Sequence, residues 1–266
     1  MTNTETAVAQ GFTAVHDGRV LRITITKPKR MNALDYDTMV GLGDTFLAVA
    51  NDPSVRAVVL TGEGKAFCTG ADLAASAEAA ARGVTPEMTM DAANRVVKAI
   101  VDCPVPVIAR VKGAAAGVGV GLALAADLVY ASADAYLLLA FINIGLMPDG
   151  GAAAMIAAAA GRPLANEMAL LGERLSAQAA KDANLINDVL SDEDLDAKVE
   201  AAAEKIANGP RRALELTKAA LNSATLTQLD GSLAAEKVGQ IELLQSPDFA
   251  EGAMAMLTKR KAVFAE

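Results

Sequence analysis

The run Lys112-Gly-Ala-Ala-Ala-Gly-Val-Gly-Val-Gly-Leu-Ala-Leu-Ala-Ala-Asp127 directly follows a β-branched stretch, Val105 to Val111. A strand feeding glycines and then a small-residue helix reads as an α/β unit whose turn leaves backbone N–H groups uncovered by side chains. Such donors bind anions, either a phosphate or an oxyanion formed during a reaction. The phosphate motifs fail on spacing. A P-loop needs Gly-Lys-Ser/Thr, whereas Gly121 is followed by Leu122, and Gly117, Gly119 and Gly121 give G-x-G-x-G instead of G-x-G-x-x-G. Close helix packing is the plainer use of the same glycines. From Gly113 to Ala126 the apolar stretch falls short of the ~20 residues needed to span a membrane.

Upstream, Phe12 to His16, Asp17-Gly18 and Val20 to Thr26 read as a hairpin with a two-residue turn. Asp35 is placed to cap a helix with Met39, Leu42, Phe46 and Val49 on one stripe. Val55 to Leu60 reads as a buried strand running into a second glycine-bearing loop, Thr61 to Asp72. The Ala-rich segment 74–90, broken by Gly83 and Pro86, reads as a loop or short helix, and a helix is expected from about Asp91 to Val101. Downstream, Leu128 to Tyr130 and Tyr136 to Leu139 are expected strands. Past Gly151 the pattern turns helical: 152–160, a stripe of Leu195, Val199 and Ile206 ended by Asn208-Gly209-Pro210, and another opened by Leu226, Leu229 and Leu233. Strands alternating with helices to about residue 190, then helices alone, predict an α/β fold with a helical C-terminal part.

Composition narrows the function. The 266 residues are 53% hydrophobic and 21% charged, enough for a large core, and aromatics are only 3% with no Trp. A net charge of −8 argues against nucleic acid as a partner. Two basic clusters, Lys27, Lys29 and Arg30, and Lys259, Arg260 and Lys261, suit either a solvated face or a small anion. Two cysteines, Cys68 and Cys103, build neither a disulfide framework nor a zinc site, so a cytoplasmic, metal-free protein is expected. Met1 to Gly11 lacks a signal-peptide core.

Two strand-to-glycine loops, around Ala71 and Val118, invite the idea of one oxyanion hole with a backbone N–H from each. Here the sequence resembles the crotonase (enoyl-CoA hydratase/isomerase) superfamily. The matching segments are Asn32-Ala33-Leu34, Phe67-Cys-Thr-Gly-Ala-Asp72, Gly113 to Asp127, Gly145-Leu-Met-Pro-Asp-Gly-Gly151, and Glu251-Gly to Lys259-Arg-Lys-Ala-Val-Phe264, in order along nearly the whole chain. The resemblance implies a spiral of strand-strand-helix turns carrying the active site in residues 1–205. It also implies a helical trimerisation region in 206–266, a homotrimer or hexamer, and acyl-CoA thioester substrates with no separate cofactor. Carried over, the oxyanion donors fall on the N–H groups of Ala71 and Val118. Substrate and CoA contacts fall on Lys29, Arg30, Cys68, Gly70, Asp72, Leu73, Gly117 and Phe141, with Lys259 reaching a neighbouring subunit's CoA phosphate.

Departures from the family pattern matter as much. The two glutamates of the hydratases fall on Gly121 and Phe141, and neither side chain moves a proton. What remains is Asp149, in a run similar to the double-bond isomerases of the phenylacetate-degradation type, where one aspartate at this place is the acid/base. A Δ3–Δ2 enoyl-CoA isomerase is expected, with a hydratase using unidentified carboxylates and a catalytically silent acyl-CoA binder as alternatives. Asp149 also stands where it would cap the helix at 152–160. Asp72 reads as a helix cap, Cys68 as a buried side chain, and His16, Glu63 and Asp134 as surface or turn residues.

Overall fold

The computed structural model describes residues 11–264, so most of the N-terminal stretch read for a leader lies outside it. β1 (Phe12–Asp17) and β2 (Val20–Ile25) form the expected hairpin. Its closing pair is Asp17 opposite Val20, so the turn residues are Gly18 and Arg19, one later than expected. Arg22 donates to Asp17 at 2.9 Å, which holds Asp17 in the strand. α1 (Tyr36–Ala48) starts at its cap Asp35, which accepts from the Thr38 N–H at 2.8 Å, and buries Met39, Leu42 and Phe46.

From there the chain winds in turns of strand, short strand and helix. β3 (Ala57–Gly62) leads to β4 (Ala66–Cys68), then α2 (Leu73–Ala81) and α3 (Pro86–Val101). The segment 74–90 is therefore mostly helix, the second of the two readings open to it, and α3 starts five residues before the expected Asp91. Asp72 accepts from the N–H groups of Ala74 and Ala75, and Thr85 from that of Met88, so both helices have specified starts. β5 (Val107–Val111) leads to β6 (Ala114–Ala116) and α4 (Val118–Leu124). β7 (Leu128–Ser132) leads to β8 (Tyr136–Leu138), a 3-10 turn at Ala140–Ile144, α5 (Ala152–Ala160) and α6 (Arg162–Leu171). After β9 (Arg174–Ser176), α7 (Ala177–Asp182) and β10 (Asp188–Leu190) come α8 (Asp192–Ala207), α9 (Arg211–Thr225), α10 (Leu229–Leu243) and α11 (Pro247–Leu257).

Each turn gives one strand to each of two sheets, ordered β1-β2-β3-β5-β7-β10 and β4-β6-β8-β9. β4, which lies in the segment read as a loop, and β6, β9 and β10 escaped the sequence reading because three residues are too few to show a period. Neighbours in the large sheet are parallel from β2 onward, and its inner strands β3, β5 and β7 are buried on both faces. Val58, Leu60, Val107, Ala109, Val129 and Ala131 face the main core, where α1 and α3 pack. The alternate positions Ala57, Val59, Ile108 and Tyr130 face Leu195, Val199, Ala203 and Ala207 of α8. A boundary between residues 205 and 206 would cut α8 within the helix whose Ala207 completes that cluster. α9 is pinned by Lys218, buried, which donates to the carbonyls of Ile100 (3.1 Å) and Val105 (3.3 Å) and to Asp127 Oδ2 (2.8 Å). Among the described residues no helix is long and apolar enough to cross a membrane.

Candidate active site

Asn32, in the left-handed region at φ 57° and fully buried, ties the first loop to the second. Its Nδ2 donates to the carbonyls of Glu63 (2.9 Å) and Ala66 (2.7 Å), and its Oδ1 accepts from the Lys27 N–H (3.0 Å). Two residues on, Leu34 forms a parallel bridge with Ala71, donating to Gly70 O and accepting from Asp72 N, each at 2.8 Å. In a parallel bridge Leu34 supplies both bonds, so the N–H of Ala71 faces away from it. The Asn32-Ala33-Leu34 motif thus works through geometry: it clamps the 70–72 turn and leaves the Ala71 N–H uncommitted to Leu34.

The glycine run meets that turn. Gly117 has φ 55° and ψ −133°, backbone open essentially to glycine, and it precedes α4 with no side-chain cap. A methyl on Gly117 would sit 3.4 Å from the Cα of Gly70, and one on Gly70 would sit 3.6 Å from the Val118 nitrogen. The two loops therefore converge, which spacing left open. Val118 is the first residue of α4, so its N–H has no acceptor within the helix.

Asp149 precedes a turn that packs on α4. A methyl on Gly121 would meet the Gly150 carbonyl oxygen at 2.6 Å, and one on Gly150 the Val118 side chain at 3.0 Å, so the 149–151 turn rests on α4 beside Val118. Oδ2 of Asp149 accepts from Gln240 Nε2 at 2.9 Å, while Oδ1 is buried with no hydrogen-bond partner. Burial, with a smaller push from the charge of Glu236 and against the Gln240 bond, raises the carboxyl to about 7. The capping alternative fails: α5 is preceded by Gly151 in the left-handed region, with no side-chain cap. The Gly151 N–H is taken instead by Glu236 Oε2 at 2.8 Å, and Ser232 Oγ donates to Oε1 of the same glutamate at 2.9 Å. Ser232, Glu236 and Gln240 all come from α10, which the sequence reading assigned only to assembly. Their i, i+4, i+8 spacing on one face was the available signal, but it reads equally as a solvated stripe.

The remaining expected residues divide. Phe141 is buried with its ring tip beside Gly117, 3.8 Å from where a methyl there would stand. Lys29 and Arg30 are exposed in a 3-10 turn, and Arg30 pairs with Asp72. Asp72 is buried under that pair and caps α2, whose first residue is the half-buried Leu73. Cys68 is fully buried, as its reading as a buried side chain expects, and burial pushes its thiol up to about 12. Lys259 is exposed in a left-handed turn after α11. His16 is exposed, 3.7 Å from Asp52. Among the described residues no group of three or more His, Cys, Asp or Glu side chains is placed to hold a metal ion.

Comparison with known proteins agrees over the whole chain. The family model described as enoyl-CoA hydratase/isomerase matches residues 16–266. A probable enoyl-CoA hydratase of Rhodobacter capsulatus is 39% identical over 243 residues, 91% of this chain and 93% of that protein. The 1,2-epoxyphenylacetyl-CoA isomerase of Escherichia coli is 36% identical over 248 residues, 92% of this chain and 94% of that protein. The crystal structure of an enoyl-CoA hydratase from Mycobacterium avium subsp. paratuberculosis superposes with TM-score 0.89 at 41% identity, covering 96% of this chain and 99% of that one.

Proposed function

This chain is an enzyme of the enoyl-CoA hydratase/isomerase (crotonase) family, and we propose that within it the protein moves the double bond of a 3-enoyl-CoA to the 2-position. Asp149 removes a proton from Cα, the thioester oxygen takes up the negative charge of the dienolate, and the same carboxyl returns the proton to Cγ. The carboxylate ends as it began, so no second acid or base is required. The N–H groups of Ala71 and Val118 hold the thioester oxygen, stabilising charge where it develops. Lys29, Arg30 and the segment from Cys68 to Leu73 line the CoA path, Gly117 and Phe141 contact the substrate, and Lys259 reaches a CoA phosphate of a neighbouring subunit.

The observation that carries this reading is the carboxyl of Asp149: one oxygen held, the other buried and unpartnered, at about 7 and so matched to proton transfer near neutrality. Against a hydratase, which needs an acid and a base, stands the packing at Gly121. Any side chain there meets the Gly150 carbonyl, so this backbone has no room for a carboxylate. Glu236 is a second carboxylate nearby, yet both of its oxygens are already bonded.

Asp149→Asn tests the assignment. It keeps the shape but accepts no proton, so kcat for 3-enoyl-CoA isomerisation should fall by roughly 10²–10⁴-fold with KM little changed. Near-normal turnover in the variant would refute the role of Asp149. An unaltered protein that hydrates 2-enoyl-CoA and leaves 3-enoyl-CoA alone would show a hydratase, and one inert to both a silent acyl-CoA binder.

A further inference from the structure

Gln240 has only one orientation open to it. The Met147 N–H donates to its Oε1 at 3.3 Å, and a backbone N–H can do nothing else, so the amide oxygen must face it. The amide nitrogen then faces the Met147 carbonyl and Asp149 Oδ2, both at 2.9 Å. A proton on Oδ2 would make that oxygen the weaker acceptor of the Gln240 N–H, whereas a proton on Oδ1 leaves Oδ2 as the carbonyl oxygen that accepts it best. A proton on Asp149 therefore sits on Oδ1, the atom without a partner.

Glu236 acts on the same carboxyl without bonding to it. It takes the Gly151 N–H, the donor at the start of α5 nearest in sequence to Asp149, and removes it from competition for that carboxylate. Its charge also opposes ionisation of Asp149. The other elements at this turn present no charge: Val118 and Gly121 of α4 and Val97 of α3 pack against Gly150. Among the described residues Glu236 is the one charged side chain acting on Asp149.

We propose that Gln240 and Glu236 of α10 are positioning residues that confine the transferable proton to Oδ1 of Asp149 and set the pH at which that atom gives it up. The proposal rests on the reading of Asp149 as proton carrier. It goes beyond that reading by placing the control of the site in the C-terminal helices.

The test is a carboxyl ¹³C NMR titration of Asp149 in the unliganded protein, which needs no turnover, alongside kcat and KM for a 3-enoyl-CoA. Glu236→Gln keeps an acceptor for the Gly151 N–H and removes the charge, so the Asp149 midpoint should fall by on the order of half a unit. Gln240→Met keeps the length and removes the donor, so the midpoint should rise by roughly one unit. In Gln240→Met, kcat at pH 7 should drop about fivefold with KM within about twofold, and recover as the pH is raised. Each variant tests the proposal without the other, should one not fold. An Asp149 midpoint unmoved in a folded variant, or a kcat loss that high pH does not restore, would overturn it. Opposite midpoint shifts in a protein without isomerase activity would uphold the positioning and refute the isomerase reading.

Discussion

Asp149 sits where its own charge is costly. Its carboxyl titrates at about 7 in the folded chain against an ordinary value of 3.8, so the native state holds the proton more tightly than the unfolded state does. The stability linked to that proton is full below about pH 4 and is lost as the pH rises through about 7. Asparagine at this position does not titrate. The melting temperature of Asp149→Asn, measured against the native protein, should therefore improve by roughly a few degrees between pH 5 and pH 8. A difference that stays flat across that range would mean the carboxyl is not held protonated by burial. Burial wins over the Gln240 bond here because Oδ1 receives no donor at all.

The elements around the site are fixed by a few polar anchors on apolar faces. Asp35, Asp72 and Thr85 start their helices where the sequence places capping residues, and α8 buries Leu195 and Val199 on its expected stripe. α9 is the exception, since its buried contact is the charged Lys218. With three acceptors around its ammonium, this lysine carries no loose donor, but Asp127 depends on it for charge balance. Lys218→Met should cost roughly 3–5 kcal/mol in urea unfolding, because it leaves a mostly buried carboxylate unpaired. Adding Asp127→Asn, which still accepts from the Val107 N–H, should recover part of that loss. Equal stability of the single and double variants would show that the pair is not what docks α9.

For the whole molecule the open matter is assembly. Leu216 and Leu221 of α9, Val238 of α10 and Met254, Met256 and Leu257 near the end of α11 are exposed in the single chain, an unusual concentration of apolar side chains for the helices that end it. The family resemblance implies a trimer, or a hexamer of paired trimers, which would cover such faces, and either is the expected result of light scattering at micromolar concentration. A monodisperse monomer would be the contrary result.

By itself the sequence determined the helix starts at Asp35 and Asp72, the period-two strands and the glycine turn before Val118, because each is written in neighbouring residues, while Asp149 stood out as the candidate carboxyl only through the family resemblance. It missed β4, β6, β9 and β10, whose three-residue strands exist only through pairing with distant partners. Nor did it show that Gly70 and Gly117 touch, that the N-terminus of α5 belongs to Glu236, or that Gln240 holds Asp149 from 91 residues away. Sequence marks a residue's chemistry and local geometry. Whether the Asp149 side chain caps α5, and how strongly its charge is opposed, turns on which oxygens are bonded and how far water is excluded, and only the packed tertiary structure decides that.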